Sequence, residues 1–325
     1  MVRELPDMHA YEAALLVPTE QVVLVTIPLA EMPWAEFWLN PRMLRGTDFL
    51  MRWSQGVWSE KRLIEAVNST SNFFALPYGP SGVAPEDPRG VELYFERLEE
   101  AGMAGQKRPD LLIFQKSDKE NVEFLVSQIG GEEEIPFTSD GDHRIKKLLE
   151  YAIAAVECEN SLWHAAKMPA YGRPLCEKRL LAGKTGLPKS AVLPTVIIKH
   201  EDVNRLDEWQ RCHGVPIHVW HVFFDRAYGI AFDTAKKLFD SRQIEPTIQI
   251  FQAPGGATTR KAIYKIYYHY AYELASASKD PELRASAIVD KNGHVLPYVT
   301  FGGGRLVLGN SALDLLSRLP VRRGE

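Results

Sequence analysis

Two glutamates separated by one residue, Glu157 and Glu159, close the apolar run Ala154-Ala155-Val156. In a strand, alternate side chains share a face, so both acids project to one side and Cys158 to the other. Neighbouring carboxylates repel each other and lose hydration. Protonation, a cationic partner or a divalent ion relieves that. Hard oxygen ligands select Mg2+ or a similar ion. A third acid, Asp110, opens the run Asp110–Phe114 (DLLIF), which is apolar enough for a central strand. If that strand pairs with Val156–Glu159, three carboxylates meet at one end of a sheet. Such a cluster can bind metal, activate a water and stabilise the charge developing on a phosphodiester. Each acid also has a plainer reading. Glu157 and Glu159 fit a solvent-facing edge strand, and Asp110 fits a turn after Pro109.

The charge distribution is compatible with a polyanionic substrate but does not by itself select one. The whole chain of 325 residues carries −4, but the average hides an asymmetry. Residues 1–159 hold 15 Lys/Arg against 27 Asp/Glu, and residues 160–272 hold 16 against 9. A basic stretch after a carboxylate cluster suits a nuclease, because Lys and Arg neutralise phosphates and release counterions. A chance excess of solvated cations would look the same. The apolar stretches, such as Gln21–Ala30 and Val215–Phe224, are too short to span a membrane. MVRELPDMHAYE at the start has no apolar signal-peptide region. Three cysteines, Cys158, Cys176 and Cys212, have no zinc-like spacing. These features predict a cytoplasmic protein with no disulfide framework.

The elements that must position the acids read as an α/β fold. Ser59–Ser69 predicts an amphipathic helix with Ser59 as N-cap and Leu63, Ile64 and Val67 on its apolar face. Pro77–Gly90 is a Pro/Gly-rich loop, and Gly90–Ala101 a second helix. Further helices are expected at Asp142–Tyr151, Asp202–Cys212 and Gly229–Ser241. Strands are expected at 110–114, in the second half of Ala152–Glu159, and at Leu193–Lys199, Pro216–Phe224 and Thr247–Gln252. The expected class is α/β, a central mixed β-sheet flanked by helices. A helix-rich N-terminal region covers 1–88 and the core covers 89–325.

Pro109-Asp110, followed by a strand ending in Glu-x-Glu, resembles the PD-(D/E)XK nuclease superfamily, to which many type II restriction endonucleases belong. The usual motif ends in Glu-x-Lys. Here Glu159 stands where the Lys would be, a variant known among restriction enzymes. The 47-residue step from Asp110 to Glu157 is long for the superfamily and predicts an insertion at about Glu120–Asp142. The runs Glu157–Gly172 (ECENSLWHAAKMPAYG), Lys184–Lys189 (KTGLPK) and Phe251–Lys261 (FQAPGGATTRK) resemble the AccI-type restriction endonucleases over roughly residues 50–310. The resemblance implies a restriction-endonuclease-like core and hydrolysis of double-stranded DNA with Mg2+, for which Mn2+ can substitute. It also implies a homodimer acting on two-fold symmetric sites. Asp110, Glu157 and Glu159 would hold the metal. Glu60, on the helix before the core, would be an auxiliary acid, or would serve the helix dipole alone.

Arg173, Lys178, Arg179, Lys184 and Lys189 form a basic loop with glycines that permit close backbone approach. Thr258, Thr259, Arg260 and Lys261 end a Gly-rich segment without the Lys-Ser/Thr ending of a P-loop. Both are candidate DNA contacts; each residue alone also reads as ordinary surface. Five tyrosines in Tyr264–Tyr272 read as packing or an interface. His218 and His221 should point to opposite faces and be satisfied in the core. Cys158 reads as a core residue. A glycosidase or other metallohydrolase with paired carboxylates leaves the basic stretch unexplained. A repair nuclease, a resolvase or a non-catalytic DNA-binding protein on the same fold remain as alternatives.

Overall fold

The computed structural model describes residues 46–80, 88–175, 187, 191–252, 258–289 and 295–320. At its centre is a seven-stranded sheet. In spatial order it runs β1 (Phe73–Pro77), β2 (Leu111–Gln115), β3 (Ala154–Asn160), β5 (Ile217–Val222), β6 (Arg226–Ala231), β9 (Tyr272–Ala277) and β12 (Leu306–Leu308). β3 and β5 are parallel, and the other neighbours are antiparallel. A parallel pair needs a crossover. Here the crossover carries β4 (Thr195–Lys199) and a helix, His200–His213. β4 belongs to a second sheet of order β4-β8-β7, with β7 at Thr247–Gln252 and β8 at Thr258–Tyr267. β10 (Pro281–Val289) and β11 (Val295–Gly303) form a separate two-stranded sheet.

Each face of the central sheet buries its own apolar layer. On one face Leu111, Ile113, Ala154, Val156, Trp220 and Val222 meet Leu63, Ala66 and Val67 of helix α1 (Gly46–Asn68). On the other face Leu112, Phe114, Ala155, Ile217 and Val219 meet Val196, Ile198 and Ile266 of the second sheet. That layer also takes residues from α3 (Lys119–Ile129), α4 (His143–Tyr151), α5 (His200–His213) and α6 (Phe232–Asp240). The remaining helices are α2 (Pro88–Glu100) and α7 (Asn310–Ser317). Covering both faces explains why β2 reads LLIF with no polar alternation. The expected α/β architecture is therefore the observed one. The expected insertion between the acid-bearing strands is α3 and the turns that follow it, packed on α4.

Several sequence expectations need correction. Ser59 is no N-cap: α1 already runs from Gly46, and Ser59 is buried in its middle. Glu60 is therefore also mid-helix and cannot serve an N-terminal dipole. Residues 229–231 belong to β6, and the helix expected there starts at Phe232. Gly229 looks like a strand breaker in sequence, yet a Cβ on it would lie 2.4 Å from the Tyr272 ring. Its missing side chain makes room for that ring, whose hydroxyl accepts from Trp220 Nε1 at 2.8 Å. The tyrosine run packs as expected. Tyr264 stacks on Phe239 with ring centroids 3.8 Å apart, and Tyr268 stacks on Tyr171 at 5.3 Å.

Candidate active site

Asp110 immediately precedes β2, and Glu157 and Glu159 occupy the outgoing half of β3. The antiparallel register sets Leu111 opposite Val156, so β2 begins where β3 delivers its acids. The Asp110 amide donates to the Val156 carbonyl at 2.7 Å, and its carbonyl accepts from the amides of Tyr78 and Gly79 at 2.8 and 3.1 Å. Its Oδ2 accepts from the Cys158 amide at 2.7 Å. Both backbone and side chain are thereby fixed. A Cβ on Gly79 would lie 2.9 Å from the Pro109 carbonyl oxygen and 3.0 Å from the Asp110 Cα, so this close approach requires glycine.

Two lysines that sequence reasoning passed over complete the cluster. Lys107 Nζ pairs with Glu157 Oε1 and stands 4.0 Å from Asp202. Lys199 Nζ, at the end of β4, lies 3.1 Å from Glu159 Oε1 and 4.0 Å from Asp202. Lys107 stands three residues before Asp110, which was a readable signal. Lys199 and Asp202 carried none, because only the crossover brings them back to β3.

Burial dominates the electrostatics. It pushes the Glu157 carboxyl up to about 8, against the pull of Lys107, with the charges of Asp110 and Glu159 adding to the rise. Burial raises Glu159 too, and Lys199 opposes it. Burial works against the charge of Lys107, but Glu157, Asp110 and Asp202 outweigh it and hold the ammonium protonated. Lys199 is likewise raised, by Glu159 above all, against its own desolvation. Of the three ways to relieve paired carboxylates, a cationic neighbour is in place at each glutamate, and burial favours a second, a proton on Glu157.

The donors suit the third, a divalent ion. All are hard carboxylate oxygens, and Glu157 Oε2 is buried with no hydrogen-bond partner. Among the described residues no three Asp, Glu, His or Cys side chains already converge as a cation cage. An incoming ion would have to displace the ammonium of Lys107 from Glu157.

Glu60 is buried on α1. Its charge reaches the Cys158 thiol, which burial raises well above its ordinary value together with Asp110, Glu60, Glu157 and Glu159. Cys158 packs against the α1 face of the sheet and is no thiolate nucleophile. Glu60 therefore approaches the strand from the side opposite to Glu157 and Glu159. Gly56, one turn earlier, faces the Asn160 side chain.

His218 is satisfied by the Tyr272 hydroxyl at 3.0 Å. His221 faces the other way, as alternation predicts, but it is not satisfied. Both its ring nitrogens are buried without a partner, and burial lowers it to about 3. It lies directly opposite Glu159 in the parallel register.

Of the expected DNA contacts, Lys178, Arg179, Lys184 and Lys189 lie outside the described residues, and so do the side chains of Thr258 and Thr259. Arg173 and Arg260 are exposed, and Lys261 pairs with Glu201 at 2.7 Å.

A mixed sheet with helices on its faces, presenting an Asp and an acid-x-acid pair at one end, defines a restriction-endonuclease-like protein. The chain belongs to the AccI restriction endonuclease family, whose model matches residues 40–168 and 188–319. The matched span includes β2, β3 and β4. Membership makes it a DNA-cleaving restriction enzyme. No curated protein and no solved structure matches it significantly. No helix among the described residues is long and apolar enough to cross a membrane.

Proposed function

We propose that this chain is a Mg2+-dependent type II endonuclease that hydrolyses double-stranded DNA at a specific sequence in the cytoplasm, with Asp110, Glu157 and Glu159 as the metal-binding and catalytic acids. The observation that carries this reading is that Asp110, Glu157 and Glu159 all stand at the outgoing end of β3, Asp110 bonded to the Cys158 amide between the two glutamates and each glutamate facing a lysine. The bound ion would supply Lewis-acid charge at the phosphate and lower the pKa of the attacking water. Mn2+, with similar oxygen preference, would substitute.

The remaining work falls to the chain's own residues. Lys199 takes the role that the usual Glu-x-Lys motif gives to its lysine. Its ammonium enters from β4 and stands beside Glu159, where it orients a water and offsets charge on the phosphate. Lys107 pairs with Glu157 and would give up that carboxylate to a bound ion. Glu60, expected as an auxiliary acid, lies across β3 from the two glutamates and would add its negative charge to the site without touching the ion. Arg173, Arg260 and Lys261, together with Lys178, Arg179, Lys184, Lys189, Thr258 and Thr259, are proposed to contact the duplex. Two copies are needed to cut two strands of a symmetric site, so the working form is a homodimer.

Digestion of a sequenced plasmid with Mg2+ tests this reading. Wild type should give discrete fragments with ends at one sequence, and Glu157→Ala should bind the same DNA without cutting it. Cutting by Glu157→Ala at the wild-type rate would refute the site. Structure-dependent nicking in place of discrete fragments would point to a repair nuclease or resolvase.

A further inference from the structure

Beside the carboxylates lies a recess of about 1210 Å³. One wall is the side of β4-β8-β7 turned away from the core. Val196, Ile198 and Ile266 point inward to the apolar layer, so Thr195, Ile197 and Lys265 face the recess. The same alternation places Lys199 on that side, where it meets Glu159. The opposite wall is the end of the central sheet, with Asn160, the residue after Glu159, and the unpartnered His221. The recess and the acid cluster therefore share β3 and β4. A duplex placed with a phosphodiester at the carboxylates would pass beside the recess.

The recess is rich in unused hydrogen-bonding groups. Arg242, Gln243 and Glu245, in the turn between α6 and β7, line it with Gln249 of β7 and Lys265 of β8. None of these five side chains has a hydrogen bond or ion pair with other described residues. Their mixture matters. A phosphate clamp would be cationic throughout, and Glu245 would repel it. Two amides, a guanidinium, an ammonium and a carboxylate instead match the donor and acceptor patterns of base edges.

Arg242 adds an independent observation. Its φ of 56° is the one positive value at a non-glycine residue among the described residues. It follows the Ser241 cap of α6, and the amides of Gln243 and Ile244 fold back on the Leu238 carbonyl at 3.0 and 3.2 Å. Helices ending this way usually place glycine at the left-handed position, because a Cβ is strained there. An arginine held in that strain, with its guanidinium uncommitted, points to a use for the side chain.

We infer that this recess is the base-reading surface of the enzyme and that Arg242 is a specificity-determining residue, its forked donors pairing with a base edge. Guanine is the base whose adjacent O6 and N7 acceptors match that fork. The inference rests on the DNA-cleaving reading above, but its test does not require cutting.

Full-length wild type, Arg242→Gly and Gln249→Ala are taken through binding selection from a random-sequence duplex pool in EDTA, with thermal unfolding measured alongside. Wild type should enrich one sequence. Arg242→Gly should unfold at the same or a higher temperature, since glycine relaxes the turn, and lose preference at one base pair by about 5- to 150-fold. Gln249→Ala, reaching from β7, should lose preference at a different position. Unchanged preference in both variants overturns the inference. So does uniform weakening across all sequences with a shallower salt dependence, which marks phosphate contacts. A wild type that enriches a sequence in EDTA yet cuts nothing with Mg2+ sinks the catalytic reading and leaves this one standing.

Discussion

Glu157 offers a test in which the acid is read through the stability of the fold. Its carboxyl holds a proton to about pH 8 in the folded protein, against an ordinary value of 4.5. Between those values the folded state binds a proton that the unfolded chain has released. The stability that Glu157 contributes is therefore fully present below about pH 4.5 and is lost as pH rises toward 8. Each tenfold in proton affinity is worth about 1.4 kcal/mol, so the full cost is on the order of 5 kcal/mol. Glu159 is raised as well and contributes in the same direction. The buried histidines act oppositely. His218 and His221 are lowered to about 4 and 3, so they favour the folded state increasingly as pH climbs through the range where unfolded histidine deprotonates. These contributions are common to wild type and Glu157→Gln, so the difference between the two proteins isolates Glu157. The assay is urea unfolding in EDTA at several pH values from 5 to 8.5. Wild type should lose stability over that range relative to Glu157→Gln, by several kcal/mol. The variant carries a constant offset from the partner that Lys107 loses, which is why the slope and not the level is compared. Mg2+ at pH 8 should then restore wild type by about 2.7 kcal/mol at a hundredfold excess over its dissociation constant, and leave Glu157→Gln unchanged. Parallel pH profiles in EDTA would refute the argument that burial outweighs Lys107 at this carboxyl.

Two further substitutions probe the walls of the site. Gly79→Ala drives a methyl into the Pro109–Asp110 backbone, 2.9 Å from a carbonyl oxygen that cannot rotate away. It should destabilise by about 1–3 kcal/mol and depress cleavage by displacing Asp110; an unchanged unfolding midpoint with full activity would mean that the approach is not tight. Lys199→Gln should lower the single-turnover cleavage rate about 100-fold or more while DNA affinity changes little; equal losses in rate and affinity would make Lys199 a phosphate contact alone.

The central strands were legible because burial on both faces writes them as continuous apolar runs. Leu111–Phe114 and Ala154–Val156 stand out on that ground, and the Glu157–Glu159 pair followed from strand alternation. β8 was hidden because Lys261, Ile263, Lys265 and Tyr267 alternate with Arg260, Ala262, Tyr264 and Ile266, so that charge and tyrosine fall on both faces, a pattern shared by loops and interfaces. β6 was hidden by Gly229, which serves a ring from a neighbouring strand. The start of α1 was misplaced because a serine before an amphipathic stretch looks like a cap even when the helix began earlier. One of the site's two cations was unreadable for a different reason. Lys199 lies 40 residues beyond Glu159, and nothing local says that a crossover will return it to the acid. His221 was expected to be satisfied, and only its surroundings show that neither ring nitrogen is.

The parallel pairing of β3 with β5 has a consequence for the chain while it is being made. The acids of β3 gain their neighbour on one side from β2, which is synthesised earlier. Their neighbour on the other side is Ile217–Val222, which follows the entire crossover. β9 and β12, which extend the sheet further, come later still. A ribosome-bound fragment ending before β5 holds Asp110, Glu157, Glu159 and Lys199 in its sequence but lacks the strand that fixes the far side of β3. Contacts so distant along the chain form late. On the proposed assignment of the acids, a nascent chain that stops before β5 would lack a cutting centre, and that centre could form only once β5 has been made.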